Sequence, residues 1–345
     1  MSSDVGRLLS RLRTAPEIRA RDIDALYEAA PAGKEDEVRP EIDALIAARF
    51  DAFTDKAGRR VVSRFKTTLP SAARLDHRGV EKLDVSEASG VAPLSGGRML
   101  VIDDCRGVFF VKKNGKSKAL LHAKDEDHDH YTHELSDLEG ITVDAAEKNA
   151  FVVSEASRTI YRIPLSGSGN DLSAGAPIPL GSLPRLNDGT DNGWEGIAIL
   201  PGRFTDGADR LIAIHEADPP QISIFDIPPD GNDSPLQPAQ SFRVPRQARE
   251  HLLDISDVAV HPETGHVFCL SDRERTIVEL ELKQQTQPQR GGLIENLSIE
   301  LVGITDIPDS KGTKPEGIGF DRDTTDLIVV AEKNKKSRVH RFAQT

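Results

Sequence analysis

The stretch Ser136–Ile163, SDLEGITVDAAEKNAFVVSEASRTIYRI, decides the fold. An acidic, glycine-containing opening leads into a short alternating strand, LEGITV. A polar turn follows, then a β-branched strand, AFVVS, a second polar turn and a third strand, TIYRI. Alternating apolar runs bounded by turn residues are strand signatures. The pattern recurs in SEASGVAPLSGGRMLVIDDCRGVFFVKK from Ser86 and in NGWEGIAILPGRFTDGADRLIAIHEADPPQISIFDI from Asn192. It returns in DISDVAVHPETGHVFCLSDRERTIVELEL from Asp254 and in KPEGIGFDRDTTDLIVVAEKNKKSRVHRF from Lys314.

The equivalent opening residues are Ser89, Glu139, Glu195, Ser256 and Glu316, spaced by 50, 56, 61 and 60 residues. Repeats of this length built from short strands indicate four-stranded propeller blades. The expected fold is therefore mainly β, a five-bladed β-propeller. The fifth copy has only 29 residues after Glu316 and so lacks an outer strand. The alternating segment VEKLDV, Val80–Val85, is expected to supply it and close the ring, because unpaired edges invite aggregation. A sixth blade built from RVVSRFKTTL, Arg60–Leu69, is the alternative, though it has no matching opening motif.

Residues 1–56 read as a small helical domain. Val5, Leu8, Leu9 and Leu12 keep helical spacing, and Ser3 or Asp4 can cap them. Ile18, Ile23, Leu26 and Tyr27 form a second stripe, and Ile42, Leu45, Ile46, Phe50 and Phe53 a third. The expected division is a helical bundle over 1–56 as an interaction domain, a basic linker over 57–79 and the propeller over 80–345. The formal charge of −12 is uneven: residues 57–79 carry +5 and residues 80–345 carry −14. An acidic large domain argues against nucleic acid as a partner. No run of about 18 apolar residues is present, which argues against a membrane span. The N-terminus has arginines within its apolar stretch, and Cys105 and Cys269 sit in apolar runs as buried thiols. These features give a cytoplasmic expectation.

The first strand of a propeller blade lines the central channel, so equivalent positions converge on one axis. Glu139, Glu195 and Glu316 then repel one another unless a cation or protons intervene. A hard cation such as calcium takes about six to eight oxygen ligands. Three glutamates with Ser89 and Ser256 meet that demand, and Asp257, which replaces the usual glycine, adds a further acid. An acid also follows the second strand of every copy: Asp104, Glu155, Glu216, Asp272 and Glu332. This series is either a second acidic ring or a set of strand terminators that bind turn N–H groups.

The openings DLEGITV, NGWEGIAI, DISDVAVHPETGHVFCLSD and KPEGIGF, in that order, resemble the SdiA-regulated family of bacterial proteins over about residues 83–342. The resemblance implies a five-bladed propeller related to NHL-repeat proteins, a bound calcium and no well-established enzymatic activity. Carried onto this chain, it implies Glu139, Glu195 and Glu316 as metal-site residues. The helical head and Asp257 depart from the family pattern.

The loop His122–Asp137 is rich in histidine and acid. His128, His130 and His133 within it could hold another divalent metal such as zinc, manganese or iron. His215 and His251 lie near acids and suit proton transfer. No GxSxG elbow, P-loop or GxGxxG-before-helix motif is present. Two functions follow as expectations. The first is a non-catalytic, calcium-binding interaction module that binds a protein partner or ligand through its head or propeller face. The alternative is a metal-dependent hydrolase acting on an ester, lactone or phosphoester.

Overall fold

The structure is a computed structural model. It describes residues 3–15, 22, 45, 75–104, 106–122, 135, 137–185, 193–205, 207–216, 220–230, 234–284, 297–308, 313–332 and 337–344. The chain divides into two compact units: residues 1–69 with 245–251, and residues 70–244 with 252–345.

In the first unit, helix α1 (Ser3–Thr14) buries Val5, Leu9 and Leu12 on one face. This is the stripe that the i, i+4, i+7 spacing dictates. Asp22 and Leu45 are also helical, and Leu45 is buried. The remaining residues of the expected second and third helices lie outside the described residues. Arg246–His251 forms a short 3-10 helix in this unit.

The second unit is a five-bladed β-propeller. Strand β1 (Leu75–Lys82) comes first in the chain. Blade 1 contains β2 (Ala88–Leu94), β3 (Arg98–Asp103), β4 (Gly107–Val111) and β5 (Ser117–His122). Blade 2 contains β6 (Leu138–Val143), β7 (Asn149–Ser154), β8 (Thr159–Ser166) and β10 (Ile178–Ser182), with the two-residue β9 (Ser173–Ala174) beside β8. Blade 3 contains β11 (Trp194–Leu200), β12 (Arg210–His215), β13 (Gln221–Asp226) and β14 (Gln240–Arg243). Blade 4 contains β15 (Ile255–Val260), β16 (Val267–Ser271), β17 (Thr276–Gln284) and β18 (Leu297–Asp306). Blade 5 contains β19 (Lys314–Phe320), β20 (Leu327–Glu332) and β21 (Ser337–Gln344), and β1 is its outermost strand.

Ring closure therefore joins the start of the propeller to its end, over residues that partly coincide with those expected. The closing strand is Leu75–Lys82, paired antiparallel with β21; of the expected Val80–Val85, it includes Val80, Glu81 and Lys82. A register shift between His77 and Gly79 lets the polar sequence LDHRG stay in the ladder. Five of the eight β1 residues have polar or charged side chains, so apolar alternation does not mark them. Backbone pairing defines this edge strand, and its charged side chains suit an edge. Leu83 and Val85 instead bury themselves between blades 5 and 1, with Val91, Val101, Val330 and Val339. Residues 60–69, the alternative sixth blade, lie outside the described residues.

The blades pack face to face through apolar clusters. Leu100, Ile102, Phe110, Ile141 and Val152 fill the space between blades 1 and 2. Phe151, Trp194, Leu211 and Phe225 do so between blades 2 and 3, and Phe268, Phe320, Leu327 and Phe342 between blades 4 and 5. Cys269 is a buried free thiol whose pKa burial raises; Cys105 lies outside the described residues. Among the described residues, no helix is long and apolar enough to cross a membrane.

Removal of the closing strand tests this architecture. A chain that begins at Leu83 leaves β21 unpaired along one edge. It is expected to melt at lower temperature and to self-associate, as read by calorimetry and size-exclusion chromatography. An unchanged melt and a single monomeric peak would show that closure contributes nothing.

Candidate metal centre

All five innermost strands carry the same irregularity. The ladder slips between Ala88 and Gly90, between Leu138 and Gly140, and between Trp194 and Gly196. It slips again between Ile255 and Asp257, and between Pro315 and Gly317. The residue skipped is Ser89, Glu139, Glu195, Ser256 or Glu316. A β-bulge leaves one residue unpaired and re-aims its side chain. The repeat position found in the sequence is thus a structural device, present once per blade.

Close backbone approach explains the residue that follows each bulge. A Cβ on Gly196 would lie 2.6 Å from Asp257 Oδ1 and 2.8 Å from Asp257 Cα. A Cβ on Gly317 would lie 2.7 Å from Gly90 Cα. Neither space admits a side chain. Blade 4 has Asp257 at this position, and its carboxylate is wholly buried. Asp257 Oδ1 accepts the Val258 N–H at 2.8 Å, and Oδ2 accepts the Ile318 N–H from blade 5 at 2.8 Å. The Ile197 N–H from blade 3 also bonds to it. Burial raises its pKa well above the carboxylate range, although these three N–H groups oppose that shift. Asp257 was expected to add an oxygen to a cation. It also clasps blades 3, 4 and 5 through these N–H groups, and the two oxygens have about four lone-pair sites between them.

The serines join blades. Ser89 Oγ donates to Leu138 O of blade 2 at 2.9 Å, and Ser256 Oγ donates to Pro315 O of blade 5 at 3.3 Å. Each hydroxyl oxygen keeps lone pairs that can face a cation.

The glutamates are strongly perturbed. Burial pushes Glu195 up to about 10, with repulsion from Glu139, Glu155, Glu216 and Asp254 adding to it. Burial pushes Glu139 up to about 8, helped by Asp137, Glu155, Glu316 and Asp104. Burial raises Glu316 to about 7 against the opposing pull of Lys314, whose Nζ lies 2.8 Å from Glu316 Oε1 and 3.1 Å from Asp272 Oδ2. Glu216 rises to about 8 through burial and a hydrogen bond with Asp254. Burial also raises Glu155 and Asp272.

The acids that follow the second strands belong to the same end of the propeller. Lys314 pairs with Glu332, and the N–H groups of Glu155 and Glu216 donate to Asp137 O and Gly193 O. Asp137 repels Glu155 and Asp254 repels Asp272, and like charges brought together at a sheet end destabilise it. Oxygens of Asp137, Glu139 and Glu155 lie within 4.8 Å of one another. At an effective dielectric of about 20, two like charges about 4 Å apart repel by about 4 kcal/mol. Glu87, Asp137, Asp254 and Lys314 were not recognised as site residues from sequence. Their signal was present in the D-x-E, D-x-S and K-x-E spacing ahead of the bulge.

This donor set fits a hard cation. It consists of carboxylate and hydroxyl oxygens, and Glu139, Glu195 and Glu216 keep their protons at neutral pH unless positive charge is supplied. Glu139, Glu195 and Glu155 form the less compensated side, since Lys314 already serves Glu316. His128, His130 and His133 lie outside the described residues. His215 is buried edge-on against Trp194, with ring centroids 5.1 Å apart, and His251 belongs to the first unit.

Residues 182–335 match the model of the SdiA-regulated family. The matched segment spans blades 3 and 4 and the two inner strands of blade 5, and holds Glu195, Ser256, Asp257 and Glu316. No curated protein matches the chain. Among solved structures, the chain is similar to a protein from Lactobacillus plantarum, with 14% identity over 72% of this chain and 65% of that one and a TM-score of 0.39. It is similar to Myxococcus xanthus glutaminyl cyclase, with 9% identity over 80% of this chain and 100% of that one and a TM-score of 0.48. It is also similar to the calcium structure of a Trichoderma reesei carbohydrate-active enzyme of family AA12, with 10% identity, coverages of 80% and 98% and a TM-score of 0.41.

The same inner strands frame a second feature. Two residues beyond the bulges, Val91, Ile141, Ile197, Val258 and Ile318 line a cavity of about 530 Å³. Arg322 lies at this cavity and donates to Pro93 O at 3.0 Å, Val143 O at 2.7 Å and Ala145 O at 3.2 Å, which ties blade 5 to blades 1 and 2.

The raised carboxyl pKa values predict how metal-free stability depends on pH. Above the ordinary value of 4.5, an unfolded Glu139 or Glu195 loses its proton while the folded one keeps it to about 8 or 10. The unfolded state then binds fewer protons, so stability falls as pH rises through this window. In chelator, the melting temperature is expected to be higher at pH 5 than at pH 8. Glu195→Gln should raise metal-free stability at pH 8 by on the order of a few kcal/mol. A chelated melt that climbs from pH 5 to pH 8 would contradict this account.

Proposed function

We propose that the chain is a calcium-binding β-propeller that serves as a non-catalytic interaction module. Glu139, Glu195 and Glu316 would hold the ion, with Ser89 and Ser256 contributing hydroxyl oxygens. The bound ion would supply the positive charge that lets these acids ionise at neutral pH. The observation that carries the reading is the bulge repeated in all five blades, which aims three glutamates and two serines from equivalent positions. The all-oxygen donor set supports calcium over a transition metal. The cavity of about 530 Å³ lies in the size range of ligand sites and supports a recognition face at the propeller. The helical head would act as an adaptor toward a protein partner, which its apolar stripe allows.

One observation favours the second reading, a metal-dependent hydrolase. Glu316 near 7 and Glu139 near 8 lie in the range where a carboxylate works as a general acid or base. An ion there would polarise an ester, lactone or phosphoester oxygen.

Metal analysis and turnover separate the two. Chain purified without chelator is expected to hold calcium, to melt lower after EDTA and to recover on addition of calcium. Glu195→Gln should abolish that recovery, because it removes a charged ligand while keeping the shape. Hydrolysis of a panel of ester, lactone and phosphoester substrates should stay at background. Calcium-dependent turnover that is lost in Glu139→Gln would overturn the non-catalytic reading in favour of the hydrolase.

A further inference from the structure

Blade 1 carries an acidic cluster of its own, one member of which, Asp104, also repels Glu139 of the axial ring. Glu87, Asp103 and Asp104 each present a carboxylate oxygen, and these oxygens lie within 4.8 Å of one another. Asp103 is the distinguishing residue. It ends β3 and is 0% exposed. The other blades place Ser154, His215, Ser271 and Ala331 at the equivalent ladder position, none of them a carboxylate. The two oxygens of Asp103 are engaged unequally. Oδ2 accepts Ser86 Oγ–H at 2.9 Å and the Glu87 N–H at 3.3 Å, and lies 4.0 Å from the Arg106 guanidinium. Oδ1 is shielded from solvent and has no hydrogen-bond partner, and the same holds for Asp104 Oδ1. Buried polar atoms are nearly always satisfied, and an isolated buried charge is costly. Two shielded, unpartnered carboxylate oxygens beside a third acid therefore point to a ligand that accepts electron pairs.

We propose that Glu87, Asp103 and Asp104 form a second cation site, built on the buried Asp103 of blade 1 rather than on the bulge glutamates and suited to a calcium-sized ion. Calcium binds oxygens at about 2.3–2.6 Å, so oxygens on opposite sides of it stand at most about 5 Å apart. The present spacing meets that limit without rebuilding. Magnesium, at about 2.0–2.1 Å, requires a tighter cage. Arg106 offsets one of the three charges from the Oδ2 side, and its side chain is 56% exposed, so the cluster keeps net negative charge for the ion. The position has a structural consequence. Ser86 and Glu87 lie in the connector from the closing strand β1 to β2. Ser337 Oγ also holds this connector, donating to Ser86 O and accepting the Ala88 N–H, both at 3.0 Å. An ion on Glu87, Asp103 and Asp104 would fasten the junction where the ring closes.

Calcium stoichiometry on the full, chelator-stripped chain tests this by equilibrium dialysis, with magnesium alone as the second probe. The wild-type chain is expected to bind two calcium equivalents. Asp103→Asn and Glu87→Gln should each lose one, and Glu195→Gln should lose the other. Should Asp103→Asn fail to fold, the partly exposed Glu87→Gln decides alone. Unchanged stoichiometry in Glu87→Gln and in any folded Asp103→Asn would overturn the site. Loss of an equivalent in these variants, with full retention in Glu195→Gln, would support the blade 1 site while removing the axial reading. Magnesium binding as tight as calcium at the lost equivalent would overturn the assignment of ion size.

Discussion

Backbone crowding at the propeller axis is the constraint from which the rest follows. Five inner strands converge there, and no Cβ fits between Gly196 and Asp257 or between Gly317 and Gly90. A regular ladder would turn side chains into that space in some blades. The bulge before each of these residues removes the conflict by leaving one residue unpaired and swinging its side chain elsewhere. The ring of Ser89, Glu139, Glu195, Ser256 and Glu316 is therefore a geometric product of closure. Once the bulge exists, whatever side chain occupies it acts at the axis, and this sequence places glutamate there in three blades of five.

That choice opposes stability. The bulge glutamates are largely withdrawn from water, and in blade 2 the oxygens of Asp137, Glu139 and Glu155 crowd within 4.8 Å of one another. The chain relieves the strain unequally. Blade 5 uses Lys314 between Glu316 and Asp272, and blade 3 uses a residue without a side chain, Gly193, opposite Glu216. Blade 4 eases the burial of Asp257 by giving its oxygens three N–H groups, which oppose that effect without cancelling it. Among the described residues, blade 2 has no such device for Glu139 and Glu155, and burial with repulsion from Asp137 raises both. Local rules broken in one region and obeyed elsewhere mark functional sites more often than defects.

Much of this was legible in the sequence because repeats betray equivalent positions. Five copies of one pattern gave the blade count, and the position before the recurrent glycine gave the bulge residue. The bulge itself was not legible, since an extra residue in a ladder changes pairing without changing residue type. The closing strand was only partly placed for a related reason: LDHRG earns its place through backbone pairing with β21, and no apolar alternation reports that. Asp257 reads in sequence as a ligand alone, because only the folded chain brings the Ile197 and Ile318 N–H groups to it from two other blades. The acids at Asp137 and Asp254 stood two residues ahead of a recognised position. Their importance appears only when the fold brings each near another acid.

The inner strands serve two chemistries along their length. At their starts they present carboxylates that need positive charge. Two residues further on, the β-branched series Val91, Ile141, Ile197, Val258 and Ile318 turns to the wall of a cavity. These five are almost wholly buried and interlock with the inter-blade clusters, so they leave little freedom for the strands to tilt. The acids cannot relax their repulsion by moving apart without disturbing that packing. Protonation or a cation is then the response left to them. Rigidity of the apolar layer thus keeps the acidic layer poised to bind, and the two layers are consequences of one set of strands.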